Sequence, residues 1–273
     1  MINRFNAYYY LLFMLLVFGA FASMAQNHYG IQILGFVALA FAAIFFIQGV
    51  LAAWAPKPDK LTLLELASLV MLSTILFMRV FYLRFPFVEI LFAVAGSLLM
   101  LSYLVKMSNA WRTLRFTSRS MAVLILLFLG SILTYTASLT LVPFASFLAE
   151  PAGMLGLGLL LTFVGLSFWK GELLLKGERV SPFRFVLRFQ DRSIVLATLF
   201  LLFTVYMGLT RVSVIPKMYL DQYPQAYYEL VNRSETGSEK PIDGKFRHER
   251  FKDAYDQFVE RHVTNANGTG NAN

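Results

Sequence analysis

Few residues of this sequence can do chemistry in apolar surroundings. Glu65, Arg79 and Glu89 lie inside long apolar runs, and Arg84 and Glu150 lie at the edges of such runs. An ionisable side chain in hydrocarbon is costly, and it is retained where it pairs, lines a path or reacts. Arg79 precedes and Glu89 follows a Phe85-Pro86 hairpin tip. At 1.5 Å per helical residue they sit at depths of about 9 and 6 Å from that tip, close enough in level to pair across the hairpin. A structural ion pair is the first reading, with Arg84 and Glu150 on the same side, and a gate for an ion or substrate is the functional alternative. Glu65 comes one turn into its run and reads as a first-turn carboxylate that reaches the interface and is favoured by the helix dipole. Ser131, Tyr135 and Ser138 recur at i, i+4 and i+7 beside Thr134, which puts hydroxyls on one helical face. Such groups bond backbone carbonyls or neighbouring helices more often than they line a polar path.

Other chemistries are excluded or unsupported. The chain has no cysteine, so disulfides, thiolate nucleophiles and Cys-ligated metals are ruled out. Its three histidines, His28, His248 and His262, all lie outside the apolar interiors, which argues against a His-ligated haem or metal. There is no phosphate-cradling glycine loop, zinc-binding His-Glu-x-x-His or Gly-x-Ser-x-Gly elbow. Asp253 and Asp256 at i, i+3 read as a solvated helix face. No cofactor and no metal is expected.

The elements that must position these residues are membrane spans. Of the 273 residues, 58% are apolar and 15% charged, against roughly 25% charged in a soluble domain. The excess is concentrated in runs of about 20 residues, the length of helix that crosses a bilayer core of roughly 30 Å. Seven runs are predicted: about Tyr8 to Met24, Gly30 to Trp54, Leu61 to Arg84, Phe87 to Val105, Met121 to Phe147, Ala152 to Leu175 and Ser193 to Val214. The first also reads as a signal peptide cleaved after Ala25, which would leave six spans. Pro56, Pro58, Pro86, Pro151 and Pro182 fall between the predicted runs, and Pro143 falls near the end of the fifth. Small residues in the fourth run (Ala93, Ala95, Gly96, Ser97) and the sixth (Ala152, Gly153, Gly156, Gly158, Gly165) predict close helix packing.

Charge placement gives a threading. One set of flanks carries thirteen Lys/Arg and the opposite set three, Arg79, Arg84 and Arg211. The positive-inside rule then puts the N-terminus in the cytoplasm and the C-terminal tail outside. The net charge of +8 divides into +9 for residues 1–215 and −1 for the tail, which gives no reason to invoke nucleic acid. On the basic side, Ser181-Pro182 opens an amphipathic helix bearing Arg184, Arg188 and Arg192 at four-residue spacing, with Phe185 and Phe189 on a neighbouring face beside Val186. Arg112 and Arg115 form a shorter version with Trp111 and Phe116. Both are expected to contact anionic headgroups.

Residues 216–264 read as a helical tail. Pro224 opens a short helix, Asn232 to Gly244 is a loop, and Arg247 to Val263 is a second helix presenting Phe251, Tyr255, Phe258 and Val259 on one face. Two short helices bury little, so this face is expected to meet a partner, the membrane surface or the rest of the chain. Residues 265–273 are Asn/Gly-rich and read as disordered. The fold expected is an all-α polytopic membrane protein with a helical tail. The function expected is a non-enzymatic subunit or scaffold of a cell-envelope complex, in a bacterium at the inner membrane with a periplasmic tail. A partner protein or a second copy would dock on the tail and helix faces. A small-solute or ion transporter or channel is the alternative, and a lipid-active enzyme is the weakest of the three.

Overall fold

The computed structural model describes residues 3–25, 27–81, 83, 87–142, 144–175, 178–189, 191–218 and 223–268. Among the described residues it is all-α apart from one two-stranded hairpin and an isolated Ile242–Lys245 bridge. The helices are α1 (Asn3–Met24), α2 (His28–Ala53), α3 (Lys60–Val80), α4 (Val88–Leu114), α5 (Arg119–Leu141), α6 (Ser146–Lys170), α7 (Pro182–Phe189), α8 (Asp191–Arg211), α9 (Gln225–Glu235) and α10 (Arg247–Gly268). Strands β1 (Leu173–Leu175) and β2 (Glu178–Val180) pair antiparallel, with Leu173 opposite Val180. Among the described residues seven helices, α1 to α6 and α8, are long and apolar enough to cross a membrane. The chain is thus a multi-pass helical membrane protein. Its Cα packing separates two compact units, Met1–Phe13 with Gly35–Val205, and Met14–Leu34 with Tyr206–Asn273.

In the first unit α5 packs on both α4 and α6, and α3 packs on α4. Short connections between these helices make successive neighbours antiparallel. Met121, Ala122, Leu129 and Ile132 of α5 are fully buried, as suits a helix with neighbours on two sides. The ends are set locally. Asp59 caps α3 by accepting from the Leu61 N–H at 3.1 Å, and Ser118 caps α5 by accepting from the Met121 N–H. Small residues admit close approach where the sequence predicts it. A Cβ at Gly96 would run into the Thr140 hydroxyl, and one at Gly156 would lie 2.9 Å from Thr134 Oγ1 and 3.0 Å from Tyr135 Cδ2.

Several predicted boundaries are corrected. α4 continues nine residues past Val105 to Leu114. The short amphipathic element expected around Arg112 and Arg115 is therefore the last turns of α4 and the turn that follows. α5 ends at Leu141, before Pro143, and α6 runs through Pro151. Pro151 is the sixth residue of α6, past the first turn, so the helix forgoes one i→i−4 bond there. α6 ends at Lys170, and the β-hairpin, which no hydropathy pattern signals, takes up the residues assigned to the end of the sixth run. α10 is helical to Gly268, beyond the predicted end at Val263, and residues 269–273 lie outside the described residues.

The apolar face of α7 is used inside the protein. Pro182 and Val186 are buried, and Phe183 packs edge-on against Phe163 at 5.5 Å and against Phe168 at 5.2 Å. Arg184 is exposed on the other side.

In the second unit α9 packs on α10. The segment after α8 is tied to α9 by the Lys217–Glu235 ion pair and by Ser213 Oγ donating to the Glu235 carbonyl at 2.9 Å. Gly237 and Gly244 adopt positive φ in the turns between α9 and α10, backbone that glycine occupies without a Cβ penalty.

Candidate functional site

The most concentrated chemistry in the membrane part forms where α3, α4 and α8 meet. Asp59, Thr62 and Glu65 recur every three residues at the start of α3. Tyr103 and Lys106 are three apart on α4, and Arg192 and Ser193 open α8. Glu65 is fully buried. Its Oε1 accepts from Lys106 Nζ at 2.5 Å and from the Tyr103 hydroxyl at 3.1 Å, and its Oε2 accepts from Arg192 Nε at 3.1 Å. The ammonium of Lys106 also lies over the Tyr103 ring, 4.6 Å from its centroid, a favourable cation–π position.

Donor accounting fixes the direction of the network. A carboxylate only accepts, so Tyr103 spends its one proton on Glu65, and the Ser193 hydroxyl, 2.9 Å away, donates to Tyr103. On the other flank Arg192 Nη2 approaches Thr62 Oγ1 at 3.4 Å, and Thr62 donates to Asp59 Oδ2 at 2.7 Å. The Thr62 hydroxyl, the Leu61 and Thr62 N–H groups and the nearby Arg192 charge hold the Asp59 carboxyl below its ordinary range. Two acids and two bases are thus joined by hydroxyl groups, and the buried carboxylate has the partners without which its desolvation would be prohibitive.

Sequence reasoning placed these residues elsewhere. Glu65 is fully buried among Tyr103, Lys106 and Arg192. Arg192, expected at lipid headgroups, binds Glu65. Lys106 was counted only toward threading. The available signal was the three-residue spacing of Asp59, Thr62 and Glu65 together with Tyr103 and Lys106, but nothing in the sequence pairs stretches up to 130 residues apart. Of the other headgroup candidates, Arg112, Arg115 and Arg184 are exposed, with Arg115 over the Phe116 ring at 4.3 Å. The side chain of Arg188 lies outside the described residues.

The predicted Arg79–Glu89 pair does not form. Arg79 lies over the Phe92 ring at 5.3 Å, and both charges are exposed on their helices. Phe92, one turn beyond Glu89, offers the guanidinium an aromatic face. Glu150 is exposed near the start of α6, and Arg84 lies outside the described residues. The hydroxyl face of α5 is used in packing. Ser131 donates to the Phe128 carbonyl at 2.7 Å, Thr134 to the carbonyls of Gly130 and Ser131, and Ser138 to the Ala149 carbonyl of α6 at 2.5 Å. Tyr135 stacks on Phe200 at 5.0 Å, and its hydroxyl meets Thr204 Oγ1 at 3.0 Å.

The tail face is partly covered by its own chain. Phe251 stacks with Tyr255, Tyr227 lies 6.4 Å from Phe251, and Tyr223 lies 5.7 Å from Tyr255. Phe258 is exposed and Val259 half-buried. Asp253 and Asp256 diverge: Asp253 pairs with Lys245 at 2.8 Å, and Asp256 accepts from the Tyr223 hydroxyl at 3.2 Å. Burial, then that carboxylate, pushes the Tyr223 phenol up to about 12. Comparison with protein-family models, curated proteins and solved structures finds no match to this chain.

Proposed function

We propose that this protein is a non-enzymatic integral subunit or scaffold of a cell-envelope complex, and that its folded tail recruits a protein partner. The observation that carries this reading is how the polar groups of the spans are used. Glu65 is bonded to two cations and a phenol, and the α5 hydroxyls donate to backbone carbonyls or meet another hydroxyl. These are the bonds of a bundle held in one arrangement, and they leave recognition to the tail. The charge bias supports an inner-membrane threading with the N-terminus cytoplasmic and the tail periplasmic, which sets the Glu65 cluster at the cytoplasmic end of α3.

Reconstitution of the purified chain into liposomes, alongside in-membrane cross-linking of the tail, tests the proposal. The expected result is no solute or ion flux above empty liposomes and a discrete cross-linked partner. Flux that Glu65→Gln abolishes would overturn it in favour of a transporter, as would failure to cross-link any partner at native abundance.

A further inference from the structure

α9 and α10 enclose a groove of about 530 Å³ lined by Ala226, Glu229, Leu230, Arg233, Arg247, Arg250 and Phe251. The lining is a helical stripe on each side. Residues 226, 229, 230 and 233 follow the i, i+3, i+4, i+7 spacing on α9, and 247, 250 and 251 follow i, i+3, i+4 on α10. Apolar side chains of both helices and three arginines line it together, with Ala226 exposed and Leu230 and Phe251 half-buried. Arg250 is steadied by Nη1 donating to the Ile242 carbonyl at 3.4 Å. Arg233 and Arg247 are exposed and make no ion pair among the described residues. Guanidinium forks suit carboxylates, which they bind through two parallel N–H donors.

We infer that this groove binds an acidic peptide segment of the partner protein, with carboxylates on Arg233, Arg247 and Arg250 and an aliphatic side chain on Leu230 and Phe251. The inference rests on the scaffold reading and names the chemistry of its partner. A volume of this size takes a few side chains. The mixture of apolar and cationic lining matches a chain that mixes aliphatic and acidic residues. Glu229 in the lining is a position that a chain with spaced carboxylates can avoid and a continuous anionic lipid surface cannot.

The test uses the full chain in zwitterionic nanodiscs and a fluorescein-labelled peptide, Glu-Leu-Glu-Asp-Leu-Glu, read by anisotropy. The inference expects saturable binding that weakens as salt rises. It also expects at least a tenfold weakening for the Arg233→Gln/Arg247→Gln variant and for a peptide with Gln at every acidic position. Phe251 and the Tyr227 contact are untouched in that variant, and unchanged helicity by circular dichroism confirms a folded tail. The Arg233→Lys/Arg247→Lys variant should bind between the two, since charge remains and the fork is lost. Equal binding by wild type and the Gln variant, or none by either, overturns the inference. So does tight binding to phosphatidylglycerol vesicles that the peptide fails to compete. If the cross-linked partner persists with the Gln variant, the groove is wrong and the scaffold stands. If the chain conducts solute while the peptide still binds, the scaffold reading falls alone.

Discussion

Replacing Glu65 with Ala removes a fully buried carboxylate and strands the groups that met on it. The side chains of Lys106 and Arg192 are only 13% and 22% exposed. Breaking a buried ion pair by removing one partner costs about 3–5 kcal/mol, because the remaining charge stays desolvated. The slight exposure of both cations argues for the lower end. Tyr103 loses one partner but keeps Ser193, which adds about 1 kcal/mol. The expected loss for Glu65→Ala is therefore about 4 kcal/mol, near a thousandfold in the folding equilibrium. Glu65→Gln keeps an acceptor for Tyr103, and its expected loss is about 2–3 kcal/mol. The assay is equilibrium unfolding in mixed micelles of mild detergent and SDS, followed by near-UV circular dichroism. A triple variant, Glu65→Leu, Lys106→Met, Arg192→Leu, sharpens the test. Since apolar replacement of a whole buried ion cluster is often neutral or stabilising, the triple variant should recover most of what Glu65→Ala loses. A loss under about 0.5 kcal/mol for Glu65→Ala, the size of an ordinary surface change, would refute the reasoning. Strict additivity of the single substitutions would refute it too, because residues in one network should couple by about 0.5–3 kcal/mol.

Four further outcomes follow from the geometry. Gly156→Ala should destabilise by about 1–3 kcal/mol through overpacking against Thr134 and Tyr135. Gly158→Ala, where a Cβ meets nothing within 4 Å, should be neutral or stabilising by up to about 1 kcal/mol; the same unfolding assay ranks the pair, and equal effects would contradict the packing. Ser167 Oγ is buried without a hydrogen-bond partner among the described residues, so Ser167→Ala should be neutral or slightly stabilising, and a clear loss would show a hidden partner. Arg79→Gln and Glu89→Gln should be additive to within about 0.5 kcal/mol, as befits residues that do not pair. In the tail, Tyr223 titrates near 12 against an ordinary 10. Its raised value means that the stability it contributes is complete below pH 10 and is lost as pH rises toward 12. Tyrosinate absorbance at alkaline pH should show this late phase, and Asp256→Asn should move it down. No movement would contradict the hydrogen bond.

Patterns that are local along the chain were legible in the sequence. The seven spans followed from runs of apolar residues, and Pro224 marked the start of α9 because its fixed φ and missing N–H suit a helix entrance. The Ser and Thr of the α5 hydroxyl face carry their own local signal, since such residues within a span often bond the carbonyl three or four residues back, as Ser131 and Thr134 do. Three kinds of feature were not legible. Glu65, Lys106 and Arg192 come from separate stretches, and each alone resembles an interfacial charge. Phe251 and Tyr255 looked unpartnered because their cover, Tyr227 and Tyr223, comes from a separate stretch of the tail. Strand β1 of the hairpin is a short Leu run that hydropathy assigns to the preceding helix.

The Glu65 cluster also implies an order of assembly during synthesis. Glu65 and Lys106 lie 41 residues apart on adjacent helices, whereas Arg192 lies 127 residues from Glu65. At about 5–20 residues per second, Arg192 leaves the ribosome roughly 4–17 s after Lys106. The α3–α4 hairpin can therefore enter the bilayer as a charge-compensated unit, its carboxylate already matched by one cation. α8 arrives later with a charge that the preformed acidic site can take up. In a nascent chain lacking Glu65, Lys106 and then Arg192 would reach the membrane without the carboxylate that binds them both. The fault would appear first as failed insertion of α8 and degradation in the cell, before any effect on the mature fold could be measured.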